Sequence, residues 1–304
     1  MSTPDADPTA TSGGVPVCYR HTDRETYIRC TRCERPICPD CMTSAAVGFQ
    51  CPECVADGRR TVREVRTRLG ASVPTKPYVT FVIIGICVVV FGLQYILGAS
   101  FTDHFENSPV RVAAFDQYFR LLTAMFLHVN LLHLGMNMLV LWLVGPQLEY
   151  VLGHVRYAAV YVLAGIGGSV ASFWFSAPYQ LDAQYFYPTS SVGASGAIFG
   201  LMGAYLVVGR RLGTDTGQVI GLIVVNVAIG FFLPQTDWRA HLGGLVVGAL
   251  AAVPLAYAPA KRRTLVQVAS LAGILVLLVV LTLLRDQVLT QQMITDGINL
   301  TSLT

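Results

Sequence analysis

Hydrophobic and polar positions in this chain alternate in whole segments, not residue by residue. Seven stretches carry no Asp, Glu, Lys or Arg: 77–102, 121–148, 157–181, 183–209, 216–236, 240–260 and 264–284. A helix needs about 20 apolar residues to cross the hydrocarbon of a bilayer, and each stretch is long enough. The pattern predicts seven transmembrane helices and hence an all-α polytopic membrane protein. The longer stretches also contain polar loop residues, so their limits mark the helix ends only to within several positions.

Composition sharpens this picture. The 304 residues are 53% apolar and 13% charged, where a soluble domain carries about a quarter charged residues. Basic residues beside the spans set orientation, because cytoplasmic flanks collect Lys and Arg. With the N-terminus inside, twelve basic residues lie on inner flanks (Arg59, Arg60, Arg63, Arg66, Arg68, Lys76, Arg156, Arg210, Arg211, Lys261, Arg262, Arg263). Only four lie outside (Arg111, Arg120, Arg239, Arg285). The imbalance predicts a cytoplasmic N-terminus, an extracytoplasmic C-terminus and, with seven spans, a plasma (inner) membrane location. The first residues are rich in Pro, Thr, Ala and Asp and lack the apolar core of a signal peptide; residues 1–17 read as disordered.

Seven of the eight cysteines fall between Cys18 and Cys54, in pairs with one histidine: Cys18-x2-His21, Cys30-x2-Cys33, Cys38-x2-Cys41 and Cys51-x2-Cys54. Eight such ligands satisfy two tetrahedral zinc ions, and bound metal would supply much of the folding free energy of so short a segment. A disulfide framework is the rival, and a reducing cytosolic side argues against it. The pair order resembles a B-box-type zinc finger. That resemblance implies that Cys18, His21, Cys38 and Cys41 hold one ion, and Cys30, Cys33, Cys51 and Cys54 the other. The last pair departs from the family, which has histidines there, and consecutive pairing also remains open. Five Arg are balanced by five acidic residues in this module, so it lacks the basic excess of a nucleic-acid binder. No nucleic-acid partner is expected; a cytosolic protein partner or a purely structural role fits. Beyond it, Arg59, Arg63 and Arg66 recur at helical spacing and read as facing anionic headgroups.

The polar residues within the spans carry the candidate chemistry. With the N-terminus inside, the second, fourth and sixth spans run from outside to inside. Their outer ends hold His128, His133 and Asn137, then Ser195, then His241. Ionisable groups in hydrocarbon are costly and mark function, and these converge on one depth. A serine hydroxyl is a weak nucleophile that needs a neighbouring base. Near the start of its helix, the Ser195 amide has no intrahelical acceptor and can donate to an oxyanion. His133 and Asn137 are four apart on one helical face and can donate to the same oxygen. Gly196 with Gly200, and Gly244 with Gly248, are small-xxx-small pairs that allow close helix contact. Taken singly, Ser195 reads as a helix cap, and His241 as a transport-path residue. A transporter site would lie nearer the bilayer centre, between internal repeats, and no repeat is evident.

Four motifs in order resemble the rhomboid proteases. They are Phe119-Arg120-Leu121-Leu122-Thr123-Ala124-Met125-Phe126-Leu127-His128; His133-x3-Asn137; Gly193-Ala194-Ser195-Gly196; and Ala240-His241-x2-Gly244-x3-Gly248. The resemblance covers about residues 78–284. It implies a six-helix core plus a seventh C-terminal transmembrane helix, and an intramembrane serine endopeptidase with Ser195 as nucleophile and His241 as base, without an acidic third member. It further implies an oxyanion site of His133, Asn137 and the Ser195 amide beside Gly193, a supporting role for His128, and Phe199 packed on the His241 ring. Transmembrane proteins with a single span are the implied substrates, and Phe231-Phe232-Leu233-Pro234 on the fifth span is a candidate gate. A catalytically inactive rhomboid-like binder of membrane proteins is the alternative. Phe119-Arg120 departs from the Trp-Arg often found in the family, which bears on loop anchoring alone. Glu149 reads as a structural interfacial group, and His104 and His154 as ordinary loop residues.

The chain thus divides into a disordered 1–17, a zinc module 18–54, a basic linker 55–76, a membrane protease domain 77–284 and a tail 285–304.

Overall fold

A computed structural model describes residues 15–61, 66–181, 186–232 and 236–296. The chain forms two compact units, Met1–Val65 and Arg66–Thr304. In the first, paired cysteines take the place of an apolar core. Strands β1 (Thr43–Ser44) and β2 (Phe49–Gln50) pair antiparallel, and helix α1 (Pro52–Thr61) follows. The buried cysteines pack with Ile37, Ile28, Met42 and Phe49. The structured module begins before Cys18, since Val17 bridges Glu25 and Thr26 N–H donates to the Pro16 carbonyl at 2.8 Å. Of the segment expected to be disordered, residues 1–14 lie outside the described residues. The expected linker helix also differs. Helix α1 takes the first part of it, Arg63 lies outside the described residues, and Arg66 forms a β-bridge with Ser72 in the second unit.

The second unit is helical. Helix α2 (Tyr78–Leu97) leads through short helices α3 (Ala99–Phe105), α4 (Pro109–Phe115) and α5 (Arg120–Thr123) to α6 (Leu131–Leu152) and α7 (His154–Phe175). A hairpin of β3 (Tyr179–Leu181) and β4 (Phe186–Pro188) precedes α8 (Ser195–Leu212), α9 (Gly217–Phe232), α10 (Trp238–Tyr257) and α11 (Arg263–Thr295). Among the described residues, five segments are long and apolar enough to cross a membrane: α2, α6, α7, α10 and the 260–295 segment that contains α11. With α8 and the shorter apolar α9 they give one helix for each charge-free stretch, and the protein is a multi-pass all-α membrane protein.

Helix ends differ from the charge-free limits where polar loops are also uncharged. The second stretch contains α5, a 3-10 turn and a loop before α6 starts at Leu131; the third ends in β3, and the fourth, past Asp182, begins with β4. Helix α11 does not stop at residue 284 but runs to Thr295, because Leu289 and Met293 bury against Val110, Val112 and Tyr179. Of the candidate gate, Leu233 and Pro234 lie outside the described residues.

Helix α7 is the hub. It buries 61% of its apolar stretch, against 17% for α2 and 11% for the α11 segment. Large side chains such as Val82, Val89, Val276 and Leu277 stay exposed on those outer helices, as a surface solvated by lipid requires. Glycines set the packing of α7, α8 and α10. A methyl on Gly244 would collide with the Gly196 carbonyl oxygen, and one on Gly248 with that of Gly200. The α8 and α10 backbones therefore touch over two successive turns, as the spacing of these glycines led one to expect.

Candidate active site and metal centres

Ser195 is the first residue of α8, and the N-cap Ala194 supplies no side-chain cap. Its amide thus keeps its donor free of intrahelical bonding. Residue His241 lies one turn into α10, whose start is fixed by Asp237. The Asp237 carboxylate accepts from Arg239 N–H at 3.2 Å and Ala240 N–H at 3.3 Å. This cap was missed in the sequence, although an Asp just before an apolar helical run is a readable start signal. The backbone contact between α8 and α10 brings Ser195 Oγ to 2.8 Å from His241 Nε2. His241 is 8% exposed, and Phe199, one turn beyond Ser195, stacks on its ring at 4.3 Å and 9°.

The third helix of the site is α6. Its N-cap Asn130 accepts from His133 N–H at 2.9 Å, fixing the turn that carries His133. The structure brings this imidazole against Gly193: a Cβ there would meet His133 Cε1 at 2.9 Å and Ser195 Oγ at 3.6 Å. Gly193 also has φ +140, and its N–H donates to the Ala124 carbonyl at 3.0 Å. Both space and backbone demand glycine here. One turn along α6, Asn137 is buried and its Nδ2 donor has no hydrogen-bond partner. An orphaned buried donor is costly in a finished structure but is suited to receiving an oxyanion.

His128 sits in the loop before α6, not on the helix. It is buried with both ring nitrogens unpartnered, and its ring lies 5.3 Å from that of His133. Burial, with the neighbouring His133, pushes its pKa down to about 4, so it stays neutral at ordinary pH. Gln94 clamps its backbone, accepting from His128 N–H at 2.9 Å and donating to its carbonyl at 3.2 Å. Arg120, fully buried, donates to the Asp103 and Glu106 carbonyls and to Gln117, and so anchors the first loop.

At the far end of α6, Glu149 is fully buried. It accepts from Val79 N–H, from the amide and hydroxyl of Thr80, and shares a 2.5 Å contact with His154 Nδ1. Glu149 therefore caps α2 from another helix. His154 is the first residue of α7 and a partner of Glu149, and is not the ordinary loop residue expected.

The cysteine-rich unit contains two ligand clusters. Cys18, His21, Cys38 and Cys41 form one, and Cys30, Cys33, Cys51 and Cys54 the other, with ligand atoms within 4.8 Å of one another in each. Alternate pairs are thus grouped, and consecutive pairs are not. A tetrahedral zinc with bonds of about 2.3 Å to sulfur sets its sulfurs roughly 3.8 Å apart. Cys33 and Cys51 sulfurs are 3.7 Å apart, and His21 Nδ1 lies 3.3 Å from both Cys38 and Cys41 and 3.9 Å from Cys18. The residues fit a metal ion. Backbone N–H groups of Cys51, Arg32 and Cys33 outweigh burial and lower the Cys30 thiol to about 6, whereas burial and the neighbouring thiols push Cys54 of the same cluster up to about 12. The thiolate is the form a metal requires.

Residues 116–258 match the family model described as the Rhomboid domain, a span containing Ser195, His241, His133, Asn137, His128, Gly193 and Phe199. Among curated proteins the chain is 36% identical over 192 residues to rhomboid protease GluP of Bacillus subtilis, covering 59% of this chain and 35% of that protein. It is 36% identical over 145 residues to RHOMBOID-like protein 6, mitochondrial, of Arabidopsis thaliana, covering 45% of this chain and 44% of that one. It is 32% identical over 139 residues to rhomboid-type serine protease 2 of Emericella nidulans, covering 44% and 26%. The chain therefore spans less than half the length of each of these relatives.

Proposed function

We propose, on the premise that this chain carries a rhomboid domain across residues 116–258, that it is an intramembrane serine endopeptidase. The observation carrying this reading is the 2.8 Å approach of Ser195 Oγ to His241 Nε2 within a helix bundle. His241 Nε2 accepts the hydroxyl proton as Ser195 Oγ attacks the scissile carbonyl carbon, then returns it to the departing amine. Water hydrolyses the resulting ester by the same path in reverse. The Ser195 N–H, His133 and Asn137 are the donors for the oxyanion, each worth about 3 kcal/mol in the transition state. Phe199 holds the imidazole plane, Gly193 leaves room for His133, and His128 supports the wall of the site as a neutral group.

Substrates are read as transmembrane proteins, with single-span ones favoured, since an unstable helix exposes its carbonyl more readily. The basic flanks support a cytoplasmic N-terminus and an extracytoplasmic C-terminus in the plasma membrane. Zinc is the metal that best suits two thiolate-rich tetrahedral clusters, in a structural role. A cytosolic protein is the favoured partner of that module. The membrane protease domain is assigned to residues 77–284, with α11 extending beyond it to Thr295.

Cleavage of a single-span reporter by purified protein in liposomes tests the assignment. Activity that vanishes in Ser195→Ala and in His241→Ala supports it. A reporter that binds but stays intact with the unaltered chain indicates a binder of membrane proteins instead.

A further inference from the structure

At the ends of α8 and α10 remote from the Ser195–His241 pair, a cavity of about 220 Å³ is lined by Arg68, Leu69, Arg211, Leu255, Ala256 and Arg263 among others. Three arginines line this concave site, with the Arg211 guanidinium over the Tyr257 ring at 5.4 Å and that of Arg263 packed against Gly70. Among the described residues, no carboxylate forms an ion pair with any of them. Arg211 commits its Nε to the Ala256 carbonyl at 3.2 Å. Arg156 donates Nη1 to the Leu69 carbonyl at 2.9 Å and lies close enough to Arg263 for their charges to repel.

Helix α11 starts at the same place and compounds the imbalance. Its N-cap Arg262 provides no side-chain cap, its first turn has no acidic residue, and Lys261, Arg262 and Arg263 line an adjoining cavity of about 270 Å³. A helix N-terminus is the positive end of its dipole and favours anions. Three cations there, beside Arg68 and Arg211, form a local conflict that a bound anion would relieve. Arginines retained only to set topology need neither a shared cavity nor an uncapped helix.

Position identifies the anion. Helix α8 has 18 residues from Ser195 to Leu212, which at about 1.5 Å each is roughly 27 Å, near the thickness of the hydrocarbon. The cavity thus lies at headgroup depth on the face opposite the dyad. Leu265, 67% exposed, and Val268, 62% exposed, follow on α11 and offer a surface to acyl chains. We propose that this cavity binds the phosphodiester of an anionic phospholipid, with Arg68, Arg211 and Arg263 as its ligands and Arg156 as a neighbouring charge. The proposal is independent of the catalytic reading.

The test uses the full chain in phosphatidylcholine nanodiscs, with and without phosphatidylglycerol, and in phosphatidylcholine with inorganic phosphate. Phosphatidylglycerol is expected to raise the unfolding temperature by about 5 °C, the scale of a saturating ligand for a unit of this size. Native mass spectrometry is expected to show that lipid retained in preference to phosphatidylcholine. Arg68→Gln with Arg263→Gln should remove most of the shift. The two lysine replacements should keep part of it, and Arg60→Gln, on the other unit, should keep all of it. An equal shift with inorganic phosphate alone, or a full shift in the glutamine pair, would overturn the proposal. Should that pair not fold, retention by the unaltered protein decides: no preference for phosphatidylglycerol also overturns it.

Discussion

The Phe199 ring lies parallel to the His241 imidazole, 4.3 Å away and tilted by only 9°. Stacking leaves the ring edge, with Nε2, directed at Ser195 Oγ. Phe199→Leu keeps the site apolar but removes the plane that fixes the imidazole. A near volume-conserving change in a core costs about 1 kcal/mol, so unfolding should shift by only a few degrees. Misplacing a catalytic group costs far more in rate, so we expect kcat to fall by about tenfold or more. Kinetics beside a melting curve checks this; equal kcat would show that the stack has no positioning role.

The glycine contact between α8 and α10 sets the reach of the dyad. Gly244→Ala places a methyl against the Gly196 carbonyl oxygen, and overpacking of this kind costs about 1–3 kcal/mol. Because the backbones must part, cleavage should drop steeply even where the variant still folds. Ala at Gly221, where a Cβ would meet nothing within 4 Å, should leave both activity and unfolding temperature nearly unchanged.

Glu149 ties α6 to the start of α2 through two amides and a hydroxyl. Glu149→Gln removes the charge and turns one acceptor into a donor facing donors. A loss of about 3 kcal/mol is expected, lowering the unfolding temperature by about 10 °C. Since the residue is at the far end of α6 from His133, the variant should still cleave at temperatures where it is folded.

Metal analysis of the intact chain should find two zinc ions. Structural zinc in finger peptides contributes on the order of 10 kcal/mol or more to folding. A strong chelator should therefore expose residues 15–61 to limited proteolysis while the membrane unit stays protected. Cys33→Ser and Cys38→Ser fall in different clusters, so each alone should lower the metal content to one. Loss of both ions from either single variant would contradict two separate sites.

Much of this architecture could be read from the chain itself, and the failures have physical causes. Each charge-free stretch overlaps one apolar helix, because a bilayer selects against charge over the length that spans it. Absence of charge does not mean helix, however. The loop at 127–130 and strand β4 are uncharged yet lie outside helices, so the second and fourth stretches began too early. The reverse error hid the end of α11, where Arg285 and Asp286 broke the uncharged run. Trp174 stacks against Arg285, and Tyr118 donates to Asp286, so the helix continues past both. Ser195, His241, His133 and Asn137 were legible because helical spacing and span direction placed them at one depth. Gln94 on His128 and Glu149 on Thr80 were not, since those partners are 34 and 69 residues apart and no local pattern encodes such pairings. The buried Arg120 was legible only as part of a loop motif.

The most direct measurement is intact-mass and peptide mapping of the protein after reaction with a fluorophosphonate, which esterifies an activated serine. The account predicts one adduct, on Ser195, that forms in the unaltered chain and is abolished by His241→Ala. Modification of a different residue, or an undiminished adduct at Ser195 without the imidazole, would contradict a nucleophile activated by His241.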